Sequence, residues 1–219
     1  MSTVPDVQLA ERALRADAQR NLGLILEAAA AAFAEDGLDA GVADIARRAG
    51  VGQATIFRRF ETKEDLIAAV VESKMGSVIE AARESLDTRR AWDGLRAFME
   101  AATELNMRDR GLFEAVAERL MRDPRFLERH EQLMEIVGEL VARAKAEGDL
   151  RKDVCPQDIP VLVCAAAQAG ATVDSAGSEL WRRYLQVVID GLRAQPGRSR
   201  LKPAPPDWDL LRAALKKPR

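Results

Sequence analysis

Seven residues, QATIFRR from Gln53 to Arg59, bring together side chains suited to reading the edge of a nucleic-acid base. A glutamine amide bonds adenine bidentately, an arginine guanidinium does the same to guanine, and the methyls of Ala54 and Thr55 fit against a thymine methyl. From Arg47 to Lys63 the bases Arg47, Arg48, Arg58, Arg59 and Lys63 stand against one acid, Glu61, in a chain of formal net charge -2. A basic cluster by itself is an ordinary solvated face. Placed at the end of a short glycine-hinged segment, with Lys63 opening the next helix, these bases are set to neutralise phosphates along a groove.

Other chemistries lack their parts. The chain has two cysteines, Cys155 and Cys164, and one histidine, His130, which supply neither a disulfide framework nor a metal-ligand cluster. Cys155 is expected in a loop and Cys164 as a small core residue. His130 stands in DPRFLERHEQL, far from any glycine-rich elbow or phosphate loop. The expectation is a protein that is not an enzyme and uses no cofactor and no metal. No apolar run reaches the ~18 residues of a membrane span, and MSTVPDVQLAERALRAD contains no signal-peptide core. That predicts no membrane partner and a cytoplasmic location.

The elements that position the basic segment read as helices. A 47% hydrophobic and 31% charged composition with 5% aromatic residues, and no strand-like alternation, predicts an all-α protein. Leu22, Ile25, Leu26, Ala29 and Phe33 recur at helical spacing, and Gly37 is the stop of that first helix. A second helix is predicted over about Val42 to Ala49, ended by Gly50, and a third over about Gln53 to Arg59. Thr62 and Asp65 form a capping box for a fourth, running to about Leu86. Two short helices joined across a glycine turn make a helix-turn-helix, with Ile45, Ala46, Val51 and Ile56 packing the pair against the first helix. In such a unit the second helix enters the major groove with its N-terminal residues toward the bases.

The segment ILEAAAAAFAEDGLDAGVADIARRAGVGQATIFRRFETKEDLIAAV, Ile25 to Val70, resembles the DNA-binding domain of TetR-type transcriptional regulators. AAAAAFAEDG, DIARRAGV, TIFRRF and TKEDL fall in that family's order and spacing. The resemblance implies a motif at about 41–60 and a double-stranded DNA operator as partner. It places base and phosphate contacts on Gln53, Ala54, Thr55, Phe57, Arg58 and Arg59, with Lys63 on the backbone. Two departures stand out. Phe57 replaces the family's usual tyrosine, which removes one phosphate hydrogen bond worth about 1 kcal/mol and leaves the ring to pack. Ala40-Gly41 replaces the usual threonine or serine at the start of the second helix, at a cost of a few tenths of a kcal/mol.

In the rest of the chain Trp92, Leu95, Phe98, Met99 and Ala102 trace one helix, and Leu112 to Met121 reads as another. Asp123-Pro124 opens a long helix to Lys145 or Ala146, stopped by Gly148, with the stripe Phe126, His130, Leu133, Val137, Leu140, Val141 and Ala144. A further helix begins near Pro156 and the last spans Ser178 to about Arg193. The resemblance implies that this half dimerises and encloses a small-molecule pocket, for which Phe98, Met99, Thr103, Phe113, His130, Met134 and Gln168 are the candidates. Composition points to a homodimer independently. Ala165, Ala166, Ala169 and Gly170 let helices approach closely, while Trp181, Tyr184, Leu185, Val188 and Leu192 form a stripe to which Val187 and Ile189 add apolar surface on another side.

The expected organisation is a DNA-binding domain at 1–65, an effector-binding and dimerisation domain at 66–195, and a solvated basic, proline-rich tail at 196–219. The expected function is a sequence-specific transcriptional regulator, a repressor released from its operator by a small molecule. The alternative is an effector-free DNA-binding or protein-interaction module whose C-terminal half only dimerises or docks a partner.

Overall fold

The computed structural model describes residues 4–120, 123–173 and 179–204, with side chains at 17–108, 123–170 and 179–204. The described residues form helices α1 (Val4–Asp36), α2 (Val42–Ala49), α3 (Gln53–Phe57), α4 (Lys63–Leu86), α5 (Ala91–Leu120), α6 (Pro124–Ala146), α7 (Asp158–Val173) and α8 (Leu180–Leu192), with a 3-10 turn at Gly37–Asp39. They divide into two compact units, one of residues 1–73 with 111–115 and one of 74–110 with 116–219.

In the first unit α1 and α2 pack side by side and α3 leans on α2. Ile25, Ala29, Ala32 and Phe33 of α1 are buried, as are Ile45 and Ala46 of α2 and Ile56 of α3. Burying such side chains contributes about 1.5–3 kcal/mol for each large one, so short helices that are marginal alone are held by their neighbours. The turn between α2 and α3 is fixed by its backbone. Gly50 sits at φ +67, its amide donates to Arg47 O at 3.2 Å, and the Val51 amide donates to Ala46 O at 3.0 Å. These paired bonds satisfy the last carbonyls of α2 and require a left-handed residue between them, a conformation glycine adopts without penalty.

In the second unit α5 buries Trp92, Leu95, Phe98, Met99 and Ala102. The end of α6 clamps the turn between α4 and α5. Arg143 donates to Leu86 O at 2.6 Å and to Thr88 O at 3.3 Å, and Glu147 accepts the Ala91 amide at 2.8 Å. The beginning of α6 is capped by Asp123, whose carboxylate accepts the Arg125 amide at 2.9 Å ahead of Pro124 in the first turn. Helices α7 and α8 pack against each other so closely at Gly170 that a Cβ there would lie 2.3 Å from the Trp181 Cβ.

Five expectations change. The segments 92–102 and 112–120 belong to one helix, α5, because the polar residues between them bond the helix itself: Thr103 Oγ1 donates to Met99 O at 2.7 Å and Asn106 Nδ2 to Ala102 O at 3.0 Å. Helix α3 ends at Phe57, and Arg58 and Arg59 lie in the following turn. Ile189 is buried with Trp181, Leu185 and Leu192, since those positions share the inner face of α8. Cys164 lies on the exposed side of α7 and not in the core. The first part of the tail is tied down. Arg151 donates to Ser199 O at 2.8 Å, the Leu201 amide donates to Asp153 Oδ2 at 2.7 Å, and Arg198 donates to Gly191 O at 2.5 Å. The Leu210, Leu211 and Leu215 pattern lies outside the described residues.

Candidate nucleic-acid interface

One residue within α3 and one just past it anchor the helix, and most of the others face solvent. Ile56 and Phe60 are buried four residues apart, while Gln53, Ala54, Phe57, Arg58 and Arg59 are exposed and Thr55 is half-buried. Helical spacing thus puts Gln53, Ala54 and Phe57 together on the outward side of α3, with the two arginines just past its end. The arginines are held by backbone bonds that continue the helical turn, Arg58 N to Ala54 O at 3.0 Å and Arg59 N to Ile56 O at 3.0 Å.

Lys63 is placed by the capping box. Asp65 N donates to Thr62 Oγ1 at 3.1 Å, and Thr62 N donates back to Asp65 Oδ2 at 3.0 Å, which fixes the first turn of α4 where Lys63 stands. The side chains of Arg58, Arg59 and Lys63 enter no ion pair among the described residues. Three uncommitted cations beside a glutamine amide and a threonine hydroxyl can hold phosphate oxygens and present donors to base edges.

Two corrections concern this face. Phe57 is 49% exposed, so its ring is not the packed residue the sequence led us to expect. Position 57 follows buried Ile56 by one residue, about 100° around the helix, and therefore points away from the core. Arg47 and Arg48 are also not part of the free charge. Arg47 pairs with Asp44, and Arg48 is bound to Asp44, Glu35 and Asp36. Reading the sequence by composition counted these two as bases. The signal it passed over was the spacing Asp44 to Arg48, one helical turn, with the acid pair Glu35-Asp36 just before Gly37.

The C-terminal candidates scatter. Phe98, Met99 and Thr103 are buried together on α5, while His130 and Met134 lie part-buried one turn apart on α6. The His130 ring tilts against Phe126, with centroids 6.3 Å apart. Gln168 is on the exposed side of α7, and Phe113 lies outside the residues whose side chains are described. A groove of about 500 Å³ is lined by other residues, among them Val154, Val161, Leu162, Val188, Leu192 and Leu201.

Comparison with known proteins agrees with this geometry. Residues 25–70 match the family model of bacterial regulatory proteins of the tetR family, and residues 90–194 match that of the C-terminal domain of SbtR-like transcriptional regulators. A TetR transcription regulatory protein from Mycobacterium vanbaalenii is 32% identical, with TM-score 0.63, over 82% of this chain and 99% of that one. The TetR transcriptional regulator SCO0520 from Streptomyces coelicolor is 27% identical, with TM-score 0.65, over 80% of this chain and 99% of that one. The transcriptional regulator FadR from Bacillus subtilis, solved with stearoyl-CoA, shares the fold at 22% identity and TM-score 0.58, over 77% of this chain and 98% of that one. The chain belongs to the TetR family of DNA-binding transcriptional regulators.

Proposed function

We propose that the chain is a dimeric repressor that reads a palindromic operator through α3 and releases it when a small molecule binds within 66–195. The observation that carries this reading is the α3 surface: an outward glutamine and aromatic ring, followed by cations that enter no ion pair among the described residues. Gln53 and Thr55 face base edges, and Ala54 and Phe57 meet thymine methyls. Arg58, Arg59 and Lys63 hold phosphates.

The dimer rests on the outer sides of α7 and α8. Val161 is 57% exposed and Val187 66% exposed, beside the exposed small residues Ala165 and Ala169. A second copy laid over these faces removes that apolar surface from water. A two-fold pair then presents two α3 helices, for half-sites about 34–36 Å apart or a multiple of that spacing.

For the effector, the residues put forward are Phe98, Met99 and Thr103, buried on α5, and His130 and Met134, one turn apart on α6, an apolar set with a few polar groups. That a protein of the same fold holds stearoyl-CoA supports a ligand with a long apolar part. Helices α4 and α5 both have residues in the two units, and α4 alone of the two opens beside Thr62 at Lys63, so it is the element whose tilt the ligand is proposed to change. The ligand acts through the difference in its affinity for the operator-competent and incompetent states. The test is a thermal-shift screen for apolar and amphipathic binders, followed by operator titration with each. Binders should weaken operator affinity, and Met99→Phe should change their potency while ligand-free affinity stays the same. Binders located in this half that leave operator affinity untouched would favour the effector-free reading.

A further inference from the structure

Arg48 lies five residues before the reading helix and would ordinarily be counted among its phosphate ligands. Each of its three guanidinium nitrogens already holds a carboxylate. Nε donates to Asp44 Oδ2 at 2.5 Å within α2, Nη1 to Glu35 Oε2 at 2.6 Å and Nη2 to Asp36 Oδ2 at 3.2 Å at the end of α1. Its side chain is 25% exposed, whereas neighbouring Arg47 is 75% exposed. The planar fork of arginine suits this geometry, because it addresses carboxylates in several directions at once where a lysine ammonium is a point charge.

These bonds join two helices across the Gly37–Asp39 turn. Neither of the caps around that turn is a side chain: Asp36 and Gly41 both precede their helices without a side-chain hydrogen bond. Packing of Ile45 and Ala46 keeps α2 on α1, but packed side chains set a helix crossing angle only to within about 15–20°. Within that range the polar tie at the rim adds a directional constraint. Since α3 is seated on α2 through the Gly50 turn and Ile56, the angle of α2 on α1 is also the angle of α3.

We propose that Arg48 is a positioning residue for the reading helix and not a phosphate ligand: by bridging Glu35, Asp36 and Asp44 it sets the angle at which α3 is presented. The inference rests on α3 being the reading helix. It also assigns a role to Glu35 and Asp36, two acids close to a surface that binds a polyanion. Exposed ion pairs add little to stability, so loss of the tie should leave the fold intact. Recognition is more demanding, because base contacts tolerate displacements of only about 0.5 Å or 10–20°.

The test uses the full-length protein and fluorescence anisotropy with the operator duplex and a random duplex over a range of salt. Glu35→Gln with Arg48→Gln removes the tie at constant net charge. Glu35→Gln with Asp36→Asn keeps Arg48 but frees it from α1. If Arg48 positions α3, both double variants lower the ratio of operator to random affinity by about tenfold, and the first leaves the salt slope unchanged, because no phosphate contact is lost. If Arg48 were a phosphate ligand, the first would weaken both duplexes alike and reduce the slope by about 0.9, and the second would tighten both alike. That outcome, or an unchanged ratio in both variants, overturns the proposal. Gln53→Ala and Arg59→Gln are measured alongside. If neither alters DNA binding, it is the reading of α3 that fails.

Discussion

The end of α3 and the outer sides of α7 and α8 are both exposed surfaces of this regulator, but they are built from opposite materials. The α3 end is a small, polar, charged patch on a helix of five residues, fixed by a glycine turn before it and a capping box after it. The α7 and α8 faces are carried on helices of 16 and 13 residues and set exposed Val161, Ala165, Ala169 and Val187 among the polar side chains of Gln168, Arg182, Arg183, Gln186 and Asp190. One surface is specified by single atoms in fixed directions. The other is specified by area, and single atoms matter less there. A change that leaves area alone should therefore be felt at α3 and ignored on α7 and α8, and a buried charge should have the reverse ranking.

The largest effect is expected where area is spoiled. Val161→Glu together with Val187→Glu sets carboxylates into the proposed pairing surface, and because both side chains are exposed in the single chain the helices themselves should survive. Sedimentation should report a monomer, and operator affinity should fall about a hundredfold or more as the two-site advantage is lost. A dimer that persists in this variant with full operator affinity would place the pairing surface elsewhere.

At α3 a single side chain should suffice, with a smaller effect. Gln53→Ala is expected to cost operator binding about 1–3 kcal/mol while leaving random-duplex binding and the salt slope as they were. Lys63→Ala should weaken both duplexes and flatten the slope by about one contact. Equal behaviour of the two variants in a salt titration would erase the division between base and phosphate contacts.

The smallest effect belongs to the clasp that holds the tail. The Arg151 guanidinium and the Leu201 amide keep the Asp153 carboxyl well below the usual carboxylate range. Its contribution is therefore complete above the unfolded value, about pH 4, and is lost as pH falls through the depressed folded value. Melting temperatures of the wild type and Asp153→Asn should differ near neutrality and converge in acid. A difference that persists undiminished in acid would mean that the clasp does not depend on the charge of Asp153.

The same contrast explains what could be read from the letters alone. The bounds of α2, the Gly50 turn and the Thr62-Asp65 box were legible because each is a local arrangement, complete within four or five residues. The side of α8 on which Ile189 lies was not, because valine, isoleucine and leucine serve a core and a partner surface equally well and only the packed chain chooses. Arg48 was hidden for a related reason. Its charge is written in the sequence, but two of its three carboxylates come from another helix. The anchoring of the tail depends in the same way on Asp153, 48 residues before Leu201, and on Arg151, 48 residues before Ser199.

The crossing of α7 and α8 limits how this chain can drift over evolutionary time. A methyl group at position 170 would fall 2.3 Å from the Trp181 Cβ and 3.0 Å from its Cα, and the Cα belongs to backbone that a rotamer change cannot move aside. Alanine, the mildest replacement available, already requires the two helices to separate. Descendants of this sequence are free to exchange most residues along α7, but position 170 should stay glycine for as long as position 181 keeps its helix where it is.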